Sequence, residues 1–174
     1  KTEMSRRFRD AVLELSEGSA EGGDVLVTPG AVLIGLSART NGAGAEALKL
    51  LLARLGLRGE IVSTPPEVLH LKTDCALLDE ETVLATPRLA SARAFQRYRV
   101  ILTPRGEEAA ANALRVNDRV FVGDRFPRTA DRLTAAGYDV RLLPCAQIAL
   151  LDGGLSCLSL RWRTGRSDIA PARA

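Results

Sequence analysis

Residues 24–63 read DVLVTPGAVLIGLSARTNGAGAEALKLLLARLGLRGEIVS, and the order of elements in this stretch decides the fold. Residues 24–28 (DVLVT) and 31–36 (AVLIGL) are apolar, β-branched runs of strand length. Pro29 and Gly30 between them suit the two central positions of a type II turn, so the pair is predicted to be a hairpin. Asn41 opens a helical pattern with Ala45, Leu48, Leu52 and Leu55 on one stripe. Gly56 follows where helices commonly stop in the left-handed conformation. Residues 60–63 form a short extended run, which completes a hairpin, helix, strand unit.

Working outward, the same order returns twice. Residues 75–78 and 82–86 flank a polar turn at Asp79, Glu80 and Glu81; residues 88–95 suggest a helix and 99–103 (RVILT) a strand. Later, 113–116 and 120–122 surround Asn117 and Asp118, residues 127–136 form a helix with Pro127 in its first turn and Gly137 beyond its end, and 140–143 is again a strand. A unit recurring at roughly 40 to 50 residues signals modular architecture. Ahead of the first unit, residues 5–15 suggest a helix with Phe8, Ala11, Val12 and Leu15 on one face, followed by loop-like residues 16–20.

Composition narrows the classes. With 174 residues, 46% hydrophobic and 26% charged, the chain has material for one ordinary domain and is not of the disordered kind. No apolar run reaches the roughly 18 residues that span a bilayer, so no membrane association is expected. Nucleic acid is not expected either: the 24 basic residues are spread along the chain, aromatics are only 4%, and the basic cluster at Arg161, Arg163 and Arg166 leads into a loose tail. The three cysteines, Cys75, Cys145 and Cys157, are odd in number and widely spaced, which argues against a disulfide framework and for a reducing, cytoplasmic compartment.

Three residues could carry chemistry. His70 is the single histidine, so imidazole acid–base work near neutral pH would fall to it; taken alone, it reads more readily as a ring packed beside Leu69 and Leu71. Cys157, in the string GGLSC, offers a nucleophilic sulfur or, by the commoner fate of a free cysteine, a small buried hydrophobe. Glu21 stands before two glycines that leave room for a ligand and could orient an imidazole, or be a surface carboxylate. The openings Glu21-Gly22-Gly23-Asp24 and Asp152-Gly153-Gly154-Leu155 resemble each other, each leading toward a strand. In a radial arrangement of modules such positions converge near the axis, where Glu21, His70 and Cys157 would share a cavity. Constellations of this kind are recognised by geometry and role, so sequence distance is no obstacle.

Five strings in order, EGGDVL (21–26), GLSARTN (35–41), LHLKTDC (69–75), GEEAAANALRVND (106–118) and LDGGLSCLSLR (151–161), closely resemble the dimethylarginine dimethylaminohydrolase family. That family belongs to the guanidine-modifying group with arginine deiminases and amidinotransferases. The resemblance implies an α/β fold of the pentein type: a propeller of hairpin, helix and strand modules, here about three plus a final strand. Residues 1–163 are expected to form a single catalytic domain and 164–174 a flexible basic tail. The resemblance further implies Cys157 as nucleophile, His70 as general acid and base, and Glu21 as the carboxylate that orients His70. Arg39 would grip the substrate carboxylate and Arg6 would make a second contact to it, while Asp152 and Leu151 would line the pocket. The implied reaction hydrolyses Nω-methylated arginines to citrulline, with no metal or organic cofactor expected; a homo-oligomer is compatible with it.

The chain also departs from the family pattern. Members begin roughly two modules earlier, and the acidic residues that hold the guanidinium lie in that part. The stretch between Arg6 and Glu21 is shorter than the pattern. The chain is therefore expected to be a fragment or a rebuilt member, with sheet edges left open. Two alternatives follow: an arginine deiminase using the same triad, against which stands the lack of a long helical insertion between His70 and Cys157, and a truncated, catalytically silent member.

Overall fold

The computed structural model describes residue 8, residues 12–151 and residues 153–159. Three sheets of three strands follow one another along the chain, each built to a single plan. In the first, β1 (Val25–Val27) pairs antiparallel with β2 (Val32–Leu36), and β2 pairs parallel with β3 (Gly59–Ser63). The crossover between β2 and β3 is helix α1 (Gly42–Arg54), which packs on both strands. The second sheet repeats the plan with β4 (Cys75–Leu77), β5 (Thr82–Ala85) and β6 (Arg99–Leu102). The third repeats it with β7 (Leu114–Val116), β8 (Arg119–Gly123) and β9 (Asp139–Leu143), crossed over by helix α2 (Pro127–Ala135). The threefold repetition read from the sequence is thus the architecture of the molecule.

Local chemistry explains the elements. The Asn41 side chain accepts the Gly44 N–H at 2.8 Å, which caps the start of α1. Gly56 and Gly137 adopt φ of +72° and +95° just past the two long helices, as their positions in the sequence suggest. Asn117, at φ 53°, turns the chain between β7 and β8. The middle sheet is sandwiched. Val83 and Ala85 of β5 face one core with Leu33, Leu71, Leu89 and Phe95, while Leu84 faces the other with Val120, Val122 and Leu133. All four residues of β5 are buried, and a strand covered on both faces reads as a continuous apolar run.

Several expectations are corrected. Gly30 does not adopt positive φ, so Pro29 and Gly30 do not make a type II turn. The turn is closed instead by the Thr28 N–H on Ala31 O at 2.9 Å, and by the Thr28 hydroxyl donating to the same oxygen at 2.7 Å. Residues 88–95 are not an α-helix but a series of turns ending in the 3-10 turn Arg93–Phe95. Leu89 and Phe95 are both buried in one core. Residues six apart lie about 120° apart around an α-helix, so a helix could not deliver both there; the extended backbone of Ala92, at ψ 132°, does so. Phe8 is helical, while residues 12–15 are irregular, so the expected helix over 5–15 does not reach its end. Residues 155–158 form turns; the rest of the expected final strand, from residue 160, and the expected tail at 164–174 lie outside the described residues. Among the described residues, no helix is long and apolar enough to cross a membrane.

Candidate active site

The first half of the site grows from the 3-10 turn Gly22–Asp24, which opens the first module, and the 3-10 turn Leu71–Thr73, which opens the second. The two turns pack together. Glu21 and His70 are the residues just ahead of them, so the repeated module start carries both to one place. His70 Nε2 lies 2.9 Å from Glu21 Oε1. The ring is buried while the Glu21 side chain is 43% exposed, so the carboxylate keeps water contact. The approach is ionic in distance, yet the ring N–H is not directed at the oxygen, and Nε2 has no hydrogen-bond partner among the described residues. The Glu21 carboxylate thus stands against this ring nitrogen and can fix the orientation of the ring. Gly23 makes the approach possible: a Cβ there would stand 2.8 Å from the imidazole Cγ.

Arg39 joins the same corner, its Nη1 lying 3.5 Å from Glu21 Oε2 with the side chain 57% exposed. Beneath these three residues sits Asp24, fully buried. Its Oδ2 accepts the Ser37 and Thr40 hydroxyls at 2.7 Å each, and its Oδ1 accepts the Leu71 N–H at 2.8 Å. The Thr40 hydroxyl oxygen in turn accepts the Glu21 N–H at 3.0 Å, and the Ser37 oxygen accepts the Arg39 N–H at 3.0 Å. One carboxylate therefore ties the backbone beside Glu21, Arg39 and His70. Sequence reading missed Asp24. The signal was present, because Asp74 occupies the same place ahead of β4 and receives the Thr86 hydroxyl at 2.8 Å and a bidentate Arg88.

Cys157 belongs to the second half. It is exposed, in a turn closed by its own N–H on Gly154 O at 3.1 Å. Its Sγ lies 3.6 Å from Asn112 Nδ2, a residue that sequence reading also passed over. Asn112 follows the 3-10 turn Glu108–Ala111, and that turn packs against the one beginning at Leu71. The described contacts do not join His70 to Cys157 directly; Asn112, which touches Cys157, follows a turn that packs on the turn after His70. Leu151 is 84% exposed and touches neither half in the described contacts, while Arg6 and Asp152 lie outside the described residues. The other two cysteines are buried. Burial, with Asp74 beside it, pushes the Cys75 thiol far up from its ordinary range, so it remains protonated.

With the geometry in hand, similarity to known proteins can be set beside it. The sequence profile of the arginine deiminase family matches residues 2–110. The N(G),N(G)-dimethylarginine dimethylaminohydrolase of Pseudomonas aeruginosa is 37% identical over 162 residues, covering 92% of this chain and 63% of that protein. The protein of the same name from Streptomyces coelicolor is 32% identical over 149 residues, covering 84% of this chain and 55% of that one. A solved structure of the Pseudomonas aeruginosa enzyme, a cysteine-to-serine mutant complexed with citrulline, superposes with a TM-score of 0.85 at 36% identity, over 92% of this chain and 64% of that one. The modular α/β architecture is shared with that structure. The chain thus spans less than two thirds of the length of these relatives.

Proposed function

The chain belongs to the arginine deiminase family, and from that premise we propose that it carries the hydrolysis of Nω-methylated arginines to citrulline and dimethylamine or methylamine. The observation that carries this reading is the buried His70 ring with its Nε2 2.9 Å from the Glu21 carboxylate. An exposed thiol, Cys157, stands in a turn after the third module, against Asn112. Likeness to two dimethylarginine dimethylaminohydrolases supports the choice of substrate.

In this reading the Cys157 thiolate attacks the guanidinium carbon and forms the C–S bond of a tetrahedral adduct. His70 gives its proton to the departing amine as the C–N bond breaks, leaving a thiouronium on Cys157. His70 then takes a proton from water, which attacks the same carbon; citrulline leaves and the thiol is regenerated. One imidazole serves both steps because each needs a proton moved at the same atom in opposite directions. Glu21 orients the ring. Arg39, more than half exposed, offers a guanidinium for the substrate carboxylate, a pairing whose fork geometry lysine lacks. Arg6 would add a second contact, Asp152 and Leu151 would wall the pocket, and residues 1–163 would act as a single catalytic domain. The three free cysteines fit a cytoplasmic setting.

The test is citrulline release from asymmetric dimethylarginine and from plain arginine, side by side, for the chain and its Cys157→Ser variant. Turnover of the methylated substrate that vanishes in the variant supports the proposal. Turnover of arginine alone would assign a deiminase instead, and a lack of turnover of either would favour a silent member of the family.

A further inference from the structure

The three cysteine sulfurs of this chain differ in what they face. The Cys75 thiol donates to Leu71 O at 3.2 Å, and the Cys145 thiol faces Asp124 Oδ1 at 3.9 Å. Both meet oxygen acceptors. Cys157 instead receives a donor, Asn112 Nδ2 at 3.6 Å. The orientation of that amide follows from its other end. Asn112 Oδ1 stands 2.9 Å from the Ser156 N–H, which can only donate, so the oxygen must face it and the NH2 group is turned toward the sulfur.

We propose that Asn112 is a catalytic residue of the site: it fixes the turn that carries Cys157 and donates its amide N–H to the nucleophilic sulfur, selecting the anion over the thiol. This rests on the assignment of Cys157 as nucleophile given above. Asn112 is suited to the task because it is anchored before it reaches out. Its own N–H bonds Ala109 O at 3.2 Å, and the preceding Ala110 and Ala111 are buried. Behind them Glu107, also buried, accepts the Thr129 N–H and hydroxyl at 2.7 Å each, which pins the turn to helix α2. From this fixed base the side chain bridges 44 residues of sequence to Ser156 and 45 to Cys157. Gly154 shows how close the fit is, since a Cβ there would stand 2.1 Å from Asn112 Nδ2. An N–H bond to an anionic sulfur is charge-assisted and stronger than one to a neutral thiol, so this contact stabilises the reacting form.

The test is alkylation of Cys157 by iodoacetamide as a function of pH, read by peptide mass mapping, which needs no substrate. Asn112→Asp keeps the shape and the acceptor for Ser156 but replaces the donor with a carboxylate. The pH of half-maximal labelling is expected to rise by about one unit and the rate at neutral pH to fall about tenfold. Gly154→Ala leaves Asn112 in the chain but displaces its amide, and is expected to shift labelling in the same direction; it keeps the question decidable should the aspartate variant not fold. Unchanged profiles in the folded variants would overturn the proposal. Survival of citrulline release in Cys157→Ser would overturn the nucleophile assignment instead, and the labelling profiles would still decide whether Asn112 acts on the sulfur.

Discussion

The corner that holds Glu21 and His70 and the turn that holds Cys157 are built in different ways. At the corner, a buried carboxylate with three donors from two modules stands beneath the site. At the turn, the described hydrogen bonds that reach residues 153–159 from distant sequence both come from Asn112. The corner is thus part of the fold's framework, while among the described hydrogen bonds the turn is tied to it through one side chain. Mutations that reach the corner should therefore register as loss of stability, and mutations that reach the turn as loss of reactivity.

The strongest challenge to that contrast is Asp24→Ala. It leaves two hydroxyls and the Leu71 N–H without their acceptor inside the core. Orphaned buried donors cost about 1–3 kcal/mol each, so a destabilisation of about 3 kcal/mol or more is expected in urea unfolding. Asn112→Ala removes two bonds at a half-buried turn, where water can reach the freed groups, and about 1 kcal/mol is expected. Equal costs for the two substitutions would erase the distinction between framework and appendage.

The second test sets the sulfurs against each other. Cys157 is exposed and Cys75 is buried with its thiol pushed up by burial, so labelling by a haloacetamidine at neutral pH should favour Cys157 by about a hundredfold or more. Cys145 is expected to follow Cys75, and the preference should vanish in denaturant. Equal labelling of all three in the folded protein would remove the case for a selected sulfur.

The same contrast explains how much of the molecule is legible in its sequence. The strands, the Asn41 cap and the glycines past α1 and α2 are local, set by residues within a few positions of each other, and the repetition of those signals carried the modular fold. Glu21 and His70 were legible because they stand at equivalent module starts. The turns at 88–95 were not, because Leu89 and Phe95 answer to a shared core rather than to a helical period. Asn112 was not, because its meaning lies 45 residues away at Cys157. Asp24 could have been found by asking why Asp74 recurs ahead of the second hairpin, a question about module equivalence rather than about strand or helix.

The smallest expected effect concerns the base from which Asn112 reaches out. Burial alone would push the Glu107 carboxyl up, but the Thr129 hydroxyl, the backbone N–H groups of Thr129 and Arg128, and the Arg128 guanidinium outweigh it and hold the group below its ordinary range. A carboxyl that titrates lower in the folded than in the unfolded chain contributes stability above its unfolded value and loses it as pH falls through the folded one. Glu107→Gln keeps an acceptor but exchanges charge-assisted bonds for neutral ones, a cost of about 1 kcal/mol near neutral pH. Thermal unfolding of both proteins from pH 7 downward should show the gap between them constant until about pH 4.5 and narrowing below it. Asp79 and Glu108, also held low, titrate in the same window in both proteins and cancel in the comparison. A gap that widened in acid would mean that Glu107 is neutral in the fold, and the turn carrying Asn112 would then lack the charged anchor assigned to it.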